Sequence, residues 1–249
     1  MSYLTRFLHN VLSFDAHLSW VSKTPIGETL DHTLLKPEAT QSQFDALFEE
    51  ARTNGIGYVC VPGSRLESAV RALSGSVVQV ASVMGFPHGN GHPRARAHEA
   101  AILLGCGASE LDMVLDVGAM KEKNYHDVQR DIRLVVDEAL KKHTSPARLV
   151  KVILETCLLT EEEIIDASML CVLAGAHFVK TSTGFSTGGA TKHAVRLMKL
   201  TVGDAALVKA SGGIRTHADA VTMLQNGASR IGTSAGVAIV KAAASSTSS

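Results

Sequence analysis

From residue 29 to the end of the chain, short apolar runs alternate with segments of helical periodicity, and no other feature restricts the fold so tightly. Eight runs have strand character: Thr29–Thr33, Gly57–Val61, Val77–Met84, Glu110–Asp116, Leu149–Leu154, His177–Thr181, Ala206–Ala210 and Arg230–Gly232. They are nearly continuous in apolar residues, the pattern of strands covered on both faces. The segments between them carry helix start and stop signals. Thr40 with Gln43, Ser64 with Glu67, Thr160 with Glu163 and Thr216 with Asp219 are spaced as capping boxes, and Gly55, Gly175 and Gly227 stand where three of those helices should close. Asn124–Leu140 predicts a longer helix with Val128, Ile132, Val135, Val136 and Ala139 on its buried face. Strand then helix, eight times over, predicts an α/β chain closed into a (β/α)8 TIM barrel. An open doubly wound sheet alternates in the same way, but the sequence has no GxGxxG after the first strand and no GxxxxGK[ST]. The expected division is an N-terminal helical extension over 1–28, the barrel over 29–244 and a disordered tail over 245–249.

Composition excludes several partners. Lys and Arg number 24 against 24 Asp and Glu, so there is no excess of cations to neutralise nucleic-acid phosphates. Every apolar stretch is too short for the ~20 residues of a membrane span. Cys60, Cys106, Cys157 and Cys171 are scattered without a CxxC pair, which argues against a disulfide framework or zinc ribbon and for a reducing, cytoplasmic setting. Leu4, Phe7, Leu8, Val11 and Leu12 recur at helical spacing, an amphipathic docking helix; Arg6 and Ser13, with no acid before Asp15, would also suit a mitochondrial presequence. Such a helix and a barrel flank could bury a symmetric contact, and a homodimer or higher homo-oligomer is expected.

Charged residues inside strand-like runs are the informative exceptions. Lys151, Lys180 and Lys209 each follow a Val and are separated by intervals of 29 residues, so they should occupy equivalent positions on the fifth, sixth and seventh strands and converge. Asp112 lies in the fourth strand, and alternation places Asp112, Val114 and Asp116 on one face. Neighbouring ammonium groups in a desolvated site lower a lysine pKa and free an amine for attack on a carbonyl, which is Schiff-base chemistry. A single strand-end lysine more often snorkels to water, but three in register beside an acid make a site. Glycine and hydroxyl residues follow these strands: Thr181 to Gly184, Ser211 to Gly213, and Gly232 to Gly236. The loops after the seventh and eighth strands of such barrels commonly hold a phosphate, because glycine exposes backbone N–H groups to the anion. A phosphorylated small-molecule substrate is expected.

These segments resemble the deoxyribose-phosphate aldolase family of class I aldolases. The similarity runs in family order through LDHTLLKP at 30–37, VCV at 59–61, GFP at 85–87, ELDMV at 110–114, VKVILET at 150–156, VKTSTGF at 179–185 and VKASGGIR at 208–215. It implies a metal- and cofactor-free cleavage of 2-deoxy-D-ribose 5-phosphate, a phosphosugar, to D-glyceraldehyde 3-phosphate and acetaldehyde. By the same resemblance Lys180 forms the imine, Lys209 perturbs its pKa and Asp112 serves in proton transfer. Asp31, Thr33, Cys60, Lys151 and Thr181 would line the pocket, and Gly184, Gly212, Gly213, Ser234 and Gly236 the phosphate site. Asp116 stands where the family often has Asn, where it would add charge to the site or pair with Lys151, and Arg96 stands where it often has Lys. The chain also lacks the C-terminal Tyr that some members place over the site.

Two rival readings differ in class. His88, His92 and His98 could suggest a divalent metal, but they sit around a Gly/Pro-rich loop that presents no helical ligand face. A phosphosugar-binding barrel without turnover would not need Lys180, Lys209 and Asp112 together.

Overall fold

The computed structural model describes residues 14–141 and 148–246. The stretch Leu4 to Ser13, with both the docking-helix and presequence readings, lies outside the described residues, as do the last three residues of the expected tail. Eight parallel strands close on themselves in chain order: β1 (Leu30–Thr33), β2 (Tyr58–Val61), β3 (Gln79–Met84), β4 (Glu110–Val114), β5 (Leu149–Ile153), β6 (Phe178–Lys180), β7 (Leu207–Ser211) and β8 (Arg230–Thr233), with β8 paired to β1. All eight expected strands are present, each within a few residues of its expected span. The outer layer is α2 (Gln41–Thr53), α3 (Leu66–Ala72), α4 (Pro93–Gly105), α5 (Val117–Lys121), α6 (Tyr125–Leu140), α7 (Glu161–Leu173), α8 (Lys192–Val202), α9 (His217–Gln225) and α10 (Gly236–Ser246). A helix over residues 14–21, α1, precedes them.

The local signals explain most helix ends. Thr40 N–H donates to Gln43 Oε1 at 2.9 Å, Thr160 N–H to Glu163 Oε2 at 2.8 Å, and Thr216 N–H to Asp219 Oδ2 at 3.1 Å, so three of the four capping boxes form. The fourth does not. After Pro62 the chain makes a 3₁₀ turn over Gly63–Arg65, and α3 then starts from Arg65 with no side-chain cap, leaving Ser64 inside the turn. Helix α10 runs through Ser246, two residues into the expected tail.

Outward strand residues such as Val59, Leu111, Met113, Val152, Val179, Val208 and Ile231 join the helix stripes, Phe44, Leu104, Ile132, Val136 and Met198 among them, in one buried apolar cluster between sheet and helices. The barrel interior is different. On the β2–β3 side it holds a small separate cluster of Cys60, Ala81 and Val83 against Leu35 and Phe86. Around the rest of the ring the inward positions include Asp31, Glu110, Asp112, Lys151, Lys180, Lys209 and Arg230, all buried, with the Phe178 ring against Lys151 and Arg230. Helix α1 closes over α8 and α9: His17 Nε2 is 2.9 Å from the Leu224 carbonyl, and Arg196 lies over the Phe14 ring.

Candidate active site

Strand register decides which side chains meet. Lys180 stands opposite Lys209 across β6 and β7, but the residue opposite Lys180 on β5 is Ile153, while Lys151 stands opposite Asp112. The equal 29-residue spacing therefore does not put the three lysines at one level. Spacing counts loops and helices as well as strand residues, so it cannot report the stagger that closing a barrel imposes. Convergence holds nonetheless, because long side chains from two levels reach one carboxylate. Asp112 accepts from Lys151 Nζ at 2.8 Å through Oδ1, and from Lys180 Nζ and Lys209 Nζ at 2.8 Å each through Oδ2.

The surrounding charges sort the lysines. Burial pulls Lys180 down, Asp112 opposes this and Lys209 adds to it, and the amine ends below the ordinary lysine value. Burial also acts against Lys209, but Asp112 and Asp31 outweigh it and hold Lys209 protonated well above the usual range. Asp112 is buried too; Lys151, Lys180 and Lys209 overcome that penalty and keep it ionised far below the usual carboxylate range. Asp31 is brought down to about 2, with Arg230, Lys209 and Lys151 outweighing its burial. One lysine is thus pushed toward the free amine while its neighbour stays a cation.

Lys180 opens onto a cavity of about 350 Å³ that is also lined by Thr33, Gly184, Gly212, Gly213 and Ser234. Gly184, Gly212 and Gly213 have φ near +84°, +87° and +82°, a backbone region that only glycine enters without strain. A Cβ on Gly212 would lie 2.9 Å from the Gly189 Cα, so the two loops could not approach as they do. A wider recess of about 450 Å³ lies on the β1–β3 side, sharing Leu35, Lys36 and Phe185 with the first. Its walls include none of the inward charges, so the smaller chamber is the candidate site.

Several expected residues are placed elsewhere. Gly236 does not line the chamber; it opens α10 and lies against His32, whose Nδ1 would be 3.0 Å from an added Cβ. Thr181 ties β6 to β7, its hydroxyl donating to the Ser211 carbonyl and accepting from Ser211 N–H, both at 3.0 Å. Cys60 and Lys151 are fully buried beneath the chamber, and burial pushes the Cys60 thiol up to about 11. Asp116 does not reach the site or Lys151: β4 ends at Val114 and Asp116 caps α5, accepting from Ala119 N–H at 3.0 Å. Arg96 is buried on α4, paired with Asp131 at 2.8 Å and donating to the Gly89 and Val114 carbonyls. His92 caps α4, its Nδ1 accepting from Arg94 N–H at 3.3 Å, and among the described residues no group of His, Cys, Asp or Glu is arranged to hold a metal ion.

Four residues at the site were missed by the sequence reading. Glu110 and Arg230 are the first residues of β4 and β8, where a charge reads as a solvated strand end. Arg215 lies just beyond the glycine pair and lines the chamber. Glu155 follows β5 in a left-handed conformation, φ +57°, and its buried carboxylate accepts from the Thr183 N–H at 3.3 Å and from the Thr183 hydroxyl, fixing the loop that carries Gly184. No local pattern marks that conformation for a glutamate.

The chain is similar to known proteins across this whole barrel. It is 51% identical over 216 residues to a deoxyribose-phosphate aldolase from Streptococcus sanguinis, covering 87% of this chain and 96% of that one. It is 49% identical over 221 residues to another from Carboxydothermus hydrogenoformans, with 89% and 96% covered. Among solved structures, the tetrameric deoxyribose phosphate aldolase from Aeropyrum pernix superposes with a TM-score of 0.82 at 31% identity, covering 94% of this chain and 97% of that one. The DeoC/LacD family aldolase model matches residues 28–245, and with the barrel and its inward lysines in place the chain belongs to that aldolase family.

Proposed function

We propose that this chain is a class I aldolase that reversibly cleaves 2-deoxy-D-ribose 5-phosphate to D-glyceraldehyde 3-phosphate and acetaldehyde. The observation that carries this reading is a buried lysine amine, Lys180, held 2.8 Å from an ionised carboxylate at the floor of a chamber whose far wall is glycine backbone. Lys180 Nζ attacks C1 and the adduct loses water to give a protonated imine. The C2–C3 bond then breaks: the C3 hydroxyl gives up its proton, C3 becomes the aldehyde of glyceraldehyde 3-phosphate, and the bonding pair moves toward the imine nitrogen to form an enamine. Protonation at C2 and hydrolysis release acetaldehyde and regenerate the amine. Asp112 and Lys209 share an oxygen-to-ammonium contact beside Lys180, and with water they pass the proton from the C3 oxygen and later back to C2.

The phosphate sits at the Gly184, Gly212, Gly213 and Ser234 end, where positive-φ glycines bare backbone N–H groups and Arg215 adds a cation. Its role is to fix C3 against the proton acceptor. Thr33 also lines the chamber, its hydroxyl donating to the Asp31 carbonyl at 2.8 Å, while Asp31, Lys151 and Cys60 are buried below. The imine supplies the electron sink, so the reaction needs no metal or organic cofactor. No described helix is long and apolar enough to cross a membrane. A cytoplasmic enzyme assembled as a homodimer or larger homo-oligomer fits the four free thiols and the tetrameric relative.

The test is turnover of 2-deoxyribose 5-phosphate read by release of acetaldehyde, with and without EDTA. The expected result is cleavage unaffected by the chelator. Binding without cleavage, or cleavage abolished by EDTA, would contradict the reading.

A further inference from the structure

The charges under the chamber form a closed figure. Arg230 donates to Asp31 Oδ1 at 2.7 Å; Asp31 accepts from Lys209; Lys209 reaches Asp112 at 2.8 Å; Asp112 accepts from Lys151 at 2.8 Å; Lys151 lies 2.5 Å from Glu110; and Glu110 returns to Arg230 at 3.0 Å. Three cations and three carboxylates alternate around this ring, each next to two of opposite sign, and Lys151 also lies 4.0 Å from Asp31 across it. Lys180 hangs outside it, attached only through the Asp112 oxygen that Lys209 already holds. The count therefore balances without Lys180.

We propose that Arg230 and Glu110 are positioning residues that close this ring, leaving Lys180, among the described residues of the barrel interior, as the one cation without a carboxylate of its own and hence as the free amine. The proposal rests on Lys180 being the nucleophile. A buried unit charge is costly unless it is neutralised. With the ring complete, a proton on Lys180 would be an uncompensated fourth charge; with Arg230 removed, that same proton would restore the balance. Arg230 and Glu110 do not line the chamber and pair with Asp31, Lys151 and each other rather than with Lys180, so their influence reaches Lys180 through Asp31, Lys209, Lys151 and Asp112.

The other groups facing the cluster do not alter the count: after β5, the buried Glu155 carboxylate is taken up by the Thr183 N–H and hydroxyl and pairs with none of the four cations. From β2, Cys60 stays a thiol and the Tyr58 ring lies under the Arg230 guanidinium. From β3, Ala81 and Val83 bring no charge. His177, just before β6, is held toward its neutral form by burial, and its Nδ1 lies 3.1 Å from Val150 N. Lys36 and Arg215 lie on the solvent side of the chamber.

The test is the pH dependence of reductive trapping of acetaldehyde on Lys180 with cyanoborohydride, read by peptide mass mapping, because acetaldehyde has no titrating group of its own. Arg230→Met should move the midpoint of trapping to higher pH by about one unit, which leaves roughly tenfold less adduct at a fixed pH below it. Glu110→Gln, which removes a negative charge, should move it to lower pH. The double variant Arg230→Met with Glu110→Gln should return the midpoint toward wild type, and Arg230→Lys should keep it there. A merely structural role would lower trapping at all pH values without moving the midpoint in opposite directions, and unmoved midpoints in the folded variants would overturn the proposal. Should Arg230→Met not fold, the opposite shift in Glu110→Gln and its reversal in the double variant decide the matter. Wild-type protein that traps nothing on Lys180 would instead remove the aldolase reading itself.

Discussion

At the residue scale the site is a problem in burying charge. Asp31, Asp112, Lys151 and Lys209 have essentially no exposed surface, and each is tolerable only because its neighbours carry the opposite sign. Asp31 sets a sign for acid stability. Its carboxyl titrates near 2 in the fold, below the unfolded value of about 3.9, so its contribution is fully present above the unfolded value and is lost as pH falls toward 2. Asp31→Asn should therefore flatten the acid limb of a denaturant-measured stability curve between about pH 4 and pH 2 while lowering stability at pH 7; an unchanged acid limb would contradict this. Thiol reactivity should follow burial as well. In the folded protein at pH 8, iodoacetamide should label exposed Cys157 and leave Cys60 and Cys171, both pushed up by burial, unmodified until denaturant is added. Peptide mapping checks this. Lys180, Lys209 and Asp112 were readable from the sequence because a charge inside an apolar run is conspicuous, whereas Arg230 and Glu110, at strand starts, were not.

At the element scale, what could be read depended on whether the signal is local. Capping boxes at Thr40, Thr160 and Thr216 act over three residues, and the structure has them; Thr160→Ala should cost about 1 kcal/mol in thermal or urea unfolding without changing turnover. Ser64 failed because Pro62 and Gly63 set up a 3₁₀ turn first, and Asp116 failed because strand alternation was carried two residues past the real end of β4. Barrel stagger, which separates Lys151 from Lys180 by a level, has no local signature at all. The loop after β7 makes a further prediction. Gly213→Ala forces an L-residue to φ near +82°, which costs on the order of 1 kcal/mol or displaces the loop, with nothing within 4 Å of the new methyl to clash. Under the phosphate-site reading, KM for 2-deoxyribose 5-phosphate should rise several-fold while activity on unphosphorylated 2-deoxyribose stays the same. Equal losses on both substrates would point away from a phosphate site there.

At the scale of the whole molecule, the barrel does two separable jobs. Its outer layer is a continuous apolar interface between sheet and helices, which supplies stability; its interior gives up apolar packing on most strands to hold a balanced set of charges. That division is why the fold was legible from periodicity while the chemistry was legible only from the exceptions to it. It also places Lys180 at the C-terminal end of β6, open to a chamber walled by the loops after β6, β7 and β8, which can change without disturbing the packed layer. Under the proposed function this interior delivers a neutral amine at Lys180. Borohydride reduction in the presence of 2-deoxyribose 5-phosphate, followed by peptide mass mapping of wild type and Lys180→Ala, tests it most directly. One reduced adduct is expected on the peptide containing Lys180, absent from the variant; an adduct on Lys209 or Lys151, or none from protein that binds the sugar phosphate, would overturn the assignment of Lys180.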